Sequence, residues 1–265
     1  MTAVTSIRDK NHKNLLLAAL PSAEWQQLQP DLEWIELVQG TVLHQTGAPL
    51  RHVHFPTTAT VSLVSSMEDG ASAEVAVVGN EGMVGVCAFM GHPHALSDAV
   101  VQHPGHGYRM STQAIVRHTQ RSPAVMHQLL GYTQALFTHM AQSSACNRHH
   151  SLDQQLCRWL LHHLDRQSSP DMLVTQERIA GLLGVRREGV THCALKLQKA
   201  GLIHYSRGHI AILDREGLEA RSCECYGVVR HAYDHLSREN GAPHLHLCHD
   251  NRQSAPVVTR QLKAA

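Results

Sequence analysis

Between residues 174 and 213, apolar positions first recur at helical spacing and then alternate with polar ones. This pattern predicts a short helix that begins after Thr175 and ends at Gly184, a second helix from Arg186 to Lys199, and a hairpin with Arg207 at its tip. Thr175 can cap the first helix, and Gly184 can adopt the left-handed conformation that a tight turn requires. Helix, turn, helix and hairpin in this order indicate a winged helix-turn-helix that binds double-stranded DNA.

A recognition helix presents its N-terminal side chains to the base edges of the major groove, where arginine can bind guanine and glutamate can accept from cytosine. We therefore expect Arg187 and Glu188 to read bases and Arg207 to contact a phosphate. The expected DNA-binding residues are Thr175, Gln176, Arg186, Arg187, Glu188, Thr191, His192, Lys196, Arg207 and His209. The alternative is an ordinary core of two amphipathic helices, which the complete order of the motif disfavours.

The N-terminal part of the chain, from about Leu15 to Met110, has a different pattern. It predicts one helix over residues 15–28 and then many short strands separated by glycines. Residues 60–66 and 73–78 are rich in strand-forming side chains and flank a turn at residues 68–70. Many short strands with glycine turns are typical of a small β-roll or barrel, here a cupin-like β-roll, and such a fold encloses a pocket. A sensory domain is the natural interpretation.

A helical stretch from about Pro123 to Arg148 follows the strands. Its seam positions alternate in spacing between three and four residues, which is the pattern of a two-helix coiled coil. The seam consists of Met126, Leu129, Thr133, Leu136, Met140, Ser143 and Asn147. We expect this seam to pair two copies of the chain. The alternative is packing onto the chain's own β-roll, because several seam residues are polar or small.

The expected organisation is an α+β fold of four segments. They are a β-roll sensory domain at residues 15–121, a long central dimerisation helix at 122–150, a winged helix-turn-helix DNA-binding domain at 151–235, and a disordered tail at 236–265. With 265 residues, of which 43% are hydrophobic and 17% charged, the chain can build two domains with cores of their own.

Charge is divided unevenly along the chain, although the formal total is only +1. Residues 174–213 hold six arginines or lysines against two glutamates, a net charge of +4. Residues 22–103 hold one arginine against nine acidic residues, a net charge of −8. Neutralisation of phosphates supplies much of the affinity for DNA, so the basic segment fits the motif that it contains.

No apolar run is long enough to span a bilayer, and the first 25 residues lack a signal-peptide cleavage pattern. We therefore expect a cytoplasmic protein without a membrane partner.

The seven cysteines are an odd number without framework spacing, which favours reduced thiols over disulfides. Cys223 and Cys225 are expected on one helix, where side chains two positions apart diverge. A structural role is favoured for them, with redox sensing as the alternative.

The order of β-roll, long helix and winged helix, together with the string LGVRREGVT at residues 183–191 and GLI at 201–203, resembles the Crp/Fnr family of bacterial transcription regulators. The resemblance covers residues 15 to 233. It implies a homodimer on a near-palindromic DNA site, with RNA polymerase and an unidentified small-molecule effector as further partners, and no enzymatic activity.

The family also implies roles for individual residues of the recognition helix. An Arg-Glu pair contacts DNA in the family, and Arg187 and Glu188 match it. Thr191 corresponds to a contacting serine in some members. His192 stands where an arginine is common, and a mostly neutral imidazole changes what this position can read.

The resemblance places an effector in the β-roll, but the residues do not fit a cyclic nucleotide. The family's phosphate cassette pairs Gly-Glu with a later Arg-Ser-Ala or Arg-Thr-Ala. Here Ser97 stands at the position of the arginine, and the neighbouring Asp98 would repel a phosphate. The expected effector pocket comprises Gly79, Glu81, Gly82, Ser97 and Asp98. No cysteine precedes Cys87, so the iron–sulfur centre of the oxygen-sensing branch is not expected, and no cofactor is expected.

Histidine is unusually frequent, with 23 residues. His52 and His54 share one face of a predicted strand, as in metal-binding cupin enzymes, but no glutamate follows before Glu68. Further metal-ligand types lie towards the C-terminus, at His231, His235, His244, His246, Cys248 and His249. Surface and packing roles are expected for these histidines, and no metal site is assigned. The competing functional class is a metal- or redox-sensing β-roll protein without specific DNA binding.

Overall fold

The computed structural model describes residues 13–167, 169 and 171–239. The expected tail overlaps the last helix as far as residue 239, and its remainder, including His244, His246, Cys248 and His249, lies outside the described residues. The same is true of the His235 side chain. Among the described residues, no helix combines the length and the apolar character that crossing a membrane requires.

Two short helices open the described chain, α1 (Leu15–Ala18) and α2 (Ser22–Leu28), and a 3₁₀ turn at Gln29–Asp31 follows. The prediction of a single helix over residues 15–28 is wrong. Pro21 lacks the N–H that a continuous helix needs, and it stands at the N-cap of α2 with extended backbone.

Seven strands form the expected β-roll. They are β1 (Glu33–Leu37), β2 (Val42–His44), β3 (His52–Pro56), β4 (Thr60–Ser66), β5 (Ser72–Val78), β6 (Asp98–His103) and β7 (Gly105–Ser111). One antiparallel sheet has the order β1-β7-β3 and the other β2-β6-β4-β5. Phe55, Val61 and Tyr108 are fully buried between them. The predicted turn at residues 68–70 is present, with Gly70 at φ +87°.

Two helices follow the strands. The sequence predicts the long helix α4 (Pro123–His149) but not the shorter helix α3 (Thr112–Arg121) before it. Ser122 caps α4, and Pro123 occupies its first turn, where the missing N–H costs nothing. The expected coiled-coil seam is wrong, because four of its residues are buried within their own chain. These four are Leu129, Thr133, Leu136 and Ser143. The β-roll and the last helix, α9 (Glu224–Glu239), pack against α4.

The remaining elements form a second core. They are α5 (Leu152–Leu164), β8 (Asp171–Leu173), α6 (Gln176–Leu183), α7 (Arg187–Lys199), β9 (Ile203–Ser206), β10 (His209–Ile212) and α8 (Arg215–Arg221). A capping box of Ser151 and Gln154 starts α5. The three strands pair in the order β8-β10-β9. Trp159, Val190 and Leu197 are buried in this core, and the predicted winged helix-turn-helix is confirmed.

Candidate nucleic-acid interface

The turn between α6 and α7 has the local structure that the sequence predicts. The Thr175 hydroxyl accepts a hydrogen bond from the N–H of Arg178 at 3.2 Å and so caps α6. Gly184 ends α6 with φ +66°, a conformation that glycine adopts without a Cβ clash. The N–H of Val185 then donates to the carbonyl of Ala180 at 3.0 Å. The turn between α6 and α7 is therefore tight.

The N-terminal part of α7 presents polar side chains to solvent. Arg187, Glu188 and His192 are exposed, as the sequence predicts for a helix that enters a groove. Thr191 is less free, because its hydroxyl lies 2.5 Å from Oε1 of Gln176. Arg187 Nε lies 3.9 Å from a carboxylate oxygen of Glu177, and both side chains are more than 60% exposed, so water weakens this ion pair.

One expected DNA-binding residue of α7 is partly engaged within the chain, and one exposed residue of α7 was not among those expected. Lys196 lies at the flank of α7 and forms an ion pair of 3.0 Å with Asp153 of α5, so its charge is partly engaged. Leu195 is 50% exposed on the same side of α7 as Glu188 and His192, one or two turns further along. An exposed apolar side chain there can contact a thymine methyl group. The sequence could have indicated Leu195, because it stands four residues after Thr191 and so on the same side of the helix.

The wing is a two-residue hairpin between β9 and β10. Arg207 and Gly208 form its tip with φ angles of +48° and +80°, the left-handed pair of a type I′ turn. Arg207 and His209 are exposed, and Arg186 stands exposed at the N-cap of α7. The carbonyl of Gly208 accepts a hydrogen bond from Val174 at 2.8 Å, which joins the wing to β8.

The basic DNA-binding domain is docked on the acidic β-roll of its own chain. Arg178 Nε donates to Oε1 of Gln102 at 3.2 Å, and the Ser72 hydroxyl donates to the carbonyl of Gly181 at 3.2 Å. Thr175 and Arg207 line one cleft with Gln39, Gly40 and Val42 of the β-roll. Two of the expected DNA-binding residues therefore face the β-roll.

The glycine turn of the expected effector pocket is filled by side chains of the chain itself. A Cβ at Gly79 would lie 2.7 Å from Cβ of Arg166, and one at Gly82 would lie 2.2 Å from the Tyr132 ring. Glu81 Oε1 accepts a hydrogen bond of 2.6 Å from Nε of Arg166. A small cavity of about 10 Å³ lies beside Glu81. In this arrangement the turn has no space for a small molecule.

The other two expected pocket residues have different surroundings. Ser97 is buried. The Asp98 carboxylate accepts hydrogen bonds from the backbone of Thr46 at 2.8 Å and from the Ser66 hydroxyl at 2.9 Å. The Thr46 N–H is the main cause that lowers the pKa of Asp98, so this carboxylate is charged near neutral pH. Asp98 lines a cleft that faces α6, where Arg178 also lies.

A larger cavity of about 490 Å³ lies beside β1, β2 and β3. Its charged and ionisable lining consists of Glu36, His44, Arg51, His52, His54 and Arg109. Burial lowers the pKa of His54 to about 3, with smaller effects of His44 and His52, so this imidazole is neutral. The sequence placed His52 and His54 on one face of a strand, and their rings lie 6.5 Å apart on β3.

Comparison with known families divides the chain as the structure does. Residues 34–122 match the cyclic nucleotide-binding domain, and residues 154–221 match the Crp-like helix-turn-helix domain. No curated protein sequence matches the chain.

Solved structures of transcription regulators share this fold at low sequence identity. A protein described as a transcriptional regulator of the Crp/Fnr family from Eubacterium rectale is 18% identical and has a TM-score of 0.63, covering 78% of this chain and 97% of its own. FixK2 from Bradyrhizobium japonicum is 15% identical with a TM-score of 0.62, over 72% and 98%. CLP from Xanthomonas campestris, described as responsive to c-di-GMP, is 14% identical with a TM-score of 0.59, over 72% and 99%.

Proposed function

Because this chain belongs to the Crp/Fnr family of transcription regulators, which are not enzymes, we propose that it acts as a homodimer that reads a near-palindromic DNA site under the control of a small-molecule effector. The observation that carries the DNA-reading part is the exposed start of α7. Arg187, Glu188 and His192 project from it without a strong partner in the described part of the chain.

The exposed side of α4 supports the homodimer. Leu130, Gln134, Phe137 and Ala141 are exposed at spacings of four, three and four residues, the pattern of a two-helix seam. Leu130 is 49% and Phe137 is 45% exposed in the single chain. A second copy that packs its own α4 along this stripe buries both side chains. It also brings two recognition helices to one face of the dimer, one helical turn of DNA apart.

The docked arrangement of the DNA-binding domain supports a role as the inactive state. A duplex that contacts Thr175 and Arg207 has to occupy the space that the Gln39–Val42 turn takes in this arrangement. The contacts that hold the domain in place include the hydrogen bond of Arg178 with Gln102, the buried Glu81–Arg166 ion pair and the apolar contact of Val64 with the second core. A ligand that breaks one of them can shift the equilibrium between the docked and released arrangements. Release of the domain then exposes the wing and the cap of α6 together.

The effector is proposed to act through the turn at Gly79–Gly82. Glu81 belongs to the sensory domain, and its partner Arg166 lies directly after α5, so their ion pair joins the two domains. A ligand that competes for Glu81, or that moves Tyr132 away from Gly82, breaks this joint. The absence of an arginine at Ser97 argues against tight binding of a cyclic phosphate at this turn.

Selection from random double-stranded DNA tests the proposal. The full-length protein is incubated with the pool at low salt, with and without cyclic AMP and cyclic di-GMP, and the retained DNA is sequenced. The expected result is a two-fold symmetric motif whose half-sites are about 10 base pairs apart. Retention without any enriched sequence, or no retention under any condition, would overturn the DNA-reading role.

A further inference from the structure

Four side chains with metal-binding atoms converge at the corner between the long helix and the DNA-binding domain. Their ligand atoms, three thiol sulfurs and one imidazole nitrogen, all lie within 4.8 Å of one another. We call these four residues the corner cluster: Cys146, His150, Cys223 and Cys225. The three cysteines are buried and form a small group separate from the two hydrophobic cores.

The spacing of these atoms suits ligands around one metal ion. Cys146 Sγ lies 3.5 Å from Cys223 Sγ, and Cys225 Sγ lies 3.5 Å from His150 Nδ1. A tetrahedral zinc ion with bonds of about 2.3 Å to sulfur and about 2.0 Å to nitrogen spaces its ligand atoms by roughly 3.5 to 3.8 Å. A disulfide instead needs about 2.05 Å between its sulfurs. Only small shifts of these side chains are needed to enclose an ion.

Two segments of the chain, distant in sequence, supply the cluster. Cys146 lies in the last turn of α4, and His150 is the C-cap of that helix, four residues later. Cys225 lies in the first turn of α9, and Cys223 lies in the link before it. The expectation that Cys223 and Cys225 diverge on one helix is wrong, because α9 begins at Glu224 and Cys223 precedes it.

The surroundings of His150 hold its ring in an orientation that suits metal binding. Its Nε2 lies 3.4 Å from Oε2 of Glu224, which leaves Nδ1 directed at the cysteines. Histidines that bind metals usually donate their other ring N–H to a carboxylate or carbonyl in this way. The Gln155 amide donates to the carbonyl of His150 at 2.9 Å and fixes the backbone of the same corner.

A buried cation beside the cluster lacks a matching anion. Arg158 is 4% exposed and donates Nη1 to the Ser143 hydroxyl at 3.0 Å, and it has no carboxylate partner in the part of the chain that the structure describes. Three thiolates around one Zn²⁺ carry one net negative charge, which Arg158 can balance.

We propose that the corner cluster binds one Zn²⁺ ion through three cysteine thiolates and one imidazole. Thiolate and imidazole ligands select zinc over hard cations such as Mg²⁺ or Ca²⁺. A closed set of four protein ligands leaves no position for a substrate, which is typical of structural zinc. Each thiol releases its proton to solvent when the ion binds. The ion ties α9 to the end of α4, where the chain turns into α5.

Metal analysis of the full-length protein tests the proposal. Purified protein is expected to contain one zinc per chain by mass spectrometry, and Cys223→Ser and Cys225→Ser are expected to lose it. Cys87→Ser is the matched control, because Cys87 is a largely buried cysteine of the β-roll outside the cluster. Replacement by Co²⁺ should give the visible absorption of a tetrahedral site with a thiolate-to-metal band, which Cys225→Ser weakens.

The cysteine variants could lose zinc because they unfold, so Glu224→Gln provides a second measurement. It keeps all four ligands and is expected to weaken zinc binding by about 10–100-fold in competition with a chelator, with an unchanged circular dichroism spectrum. Zinc retained in full by Cys223→Ser would place the metal elsewhere and overturn the proposal. A Cys146–Cys223 disulfide in metal-free protein, or iron with acid-labile sulfide, would also overturn it.

Discussion

Arg166 Nε lies 2.6 Å from Oε1 of Glu81, and this buried ion pair joins the β-roll to the DNA-binding domain. Burial alone would lower the pKa of Arg166, but the charge and hydrogen bond of Glu81, together with Tyr233 and Asp165, raise that pKa above its ordinary value. The guanidinium also donates to the carbonyl of His162 at 2.8 Å and lies over the Tyr233 ring. A charged pair at this position is stable only while both partners are present.

Glu81→Gln should therefore lower the free energy of unfolding by about 3–5 kcal/mol, because it leaves the Arg166 charge buried without a counter-charge. The double variant Glu81→Gln with Arg166→Met removes both charges and should recover a large part of that loss. Urea denaturation of the four proteins measures the interaction energy. Additive effects of the two substitutions would contradict a coupled ion pair.

Arg187→Ala should weaken binding to the selected DNA site by about 1–3 kcal/mol and relax the preference at one base position. The reason is that Arg187 is exposed at the first position of α7 and only weakly paired with Glu177. Fluorescence anisotropy on the selected site and on scrambled DNA measures the effect. Arg121→Ala is the control, an exposed arginine at the end of α3. Equal losses of affinity for both DNAs would show that Arg187 does not read a base.

Arg207→Ala should weaken binding to every DNA sequence alike. Arg207 lies at the tip of the wing, where we expect a phosphate contact, so its loss should reduce the salt slope by about 1. The same anisotropy assay at several salt concentrations measures the slope. Arg207→Lys keeps the positive charge and should retain most of the salt slope. A loss confined to the selected site would assign Arg207 to base reading instead.

The winged helix-turn-helix could be predicted from sequence because its signals are local. The cap at Thr175, the left-handed Gly184 and the tip at Arg207 each act within a few residues of themselves. Strand β8 has only three residues and pairs with β10, almost forty positions away, so no local pattern marks it.

The face of a long helix that pairs two chains could not be predicted in the same way. Two parallel stripes on α4 both follow the spacing of three and four residues, one through Leu129 and Leu136 and one through Leu130 and Phe137. The choice between them depends on α9, which packs on α4 from about a hundred residues further along the chain. The ion-pair partner of Glu81 could not be predicted either, because Arg166 is 85 positions away in sequence.

Phe137→Asp should convert the proposed dimer to monomers, because a coiled-coil seam does not tolerate a buried, unpaired carboxylate. Phe137 is 45% exposed in the single chain, so the substitution should leave the monomer folded. Light scattering coupled to gel filtration measures the mass. Leu96→Asp is the control, an exposed apolar residue of the β-roll. A Phe137→Asp protein that remains dimeric would exclude this stripe as the seam.

Two buried histidines should make the protein less stable in mild acid. His139 and His162 are each 2% exposed, and their rings lie 4.7 Å apart. Burial is the main cause that lowers the pKa of both well below 6.5, and Arg166 adds to it for His139. The folded protein keeps both rings neutral, whereas the unfolded chain takes up protons below pH 6.5. Stability is therefore complete above that pH and is lost as the pH falls.

The expected loss from this pair is about 3 kcal/mol between pH 7.5 and 5.5, from about 1.4 kcal/mol per histidine for each pH unit below the unfolded value. Urea denaturation across this range measures the slope, and His139→Phe should reduce it by about one histidine's share. His127→Asn is the control, because His127 is exposed on α4. A His139→Phe slope equal to that of the parent protein would mean that His139 takes up its proton in the folded state as readily as in the unfolded chain.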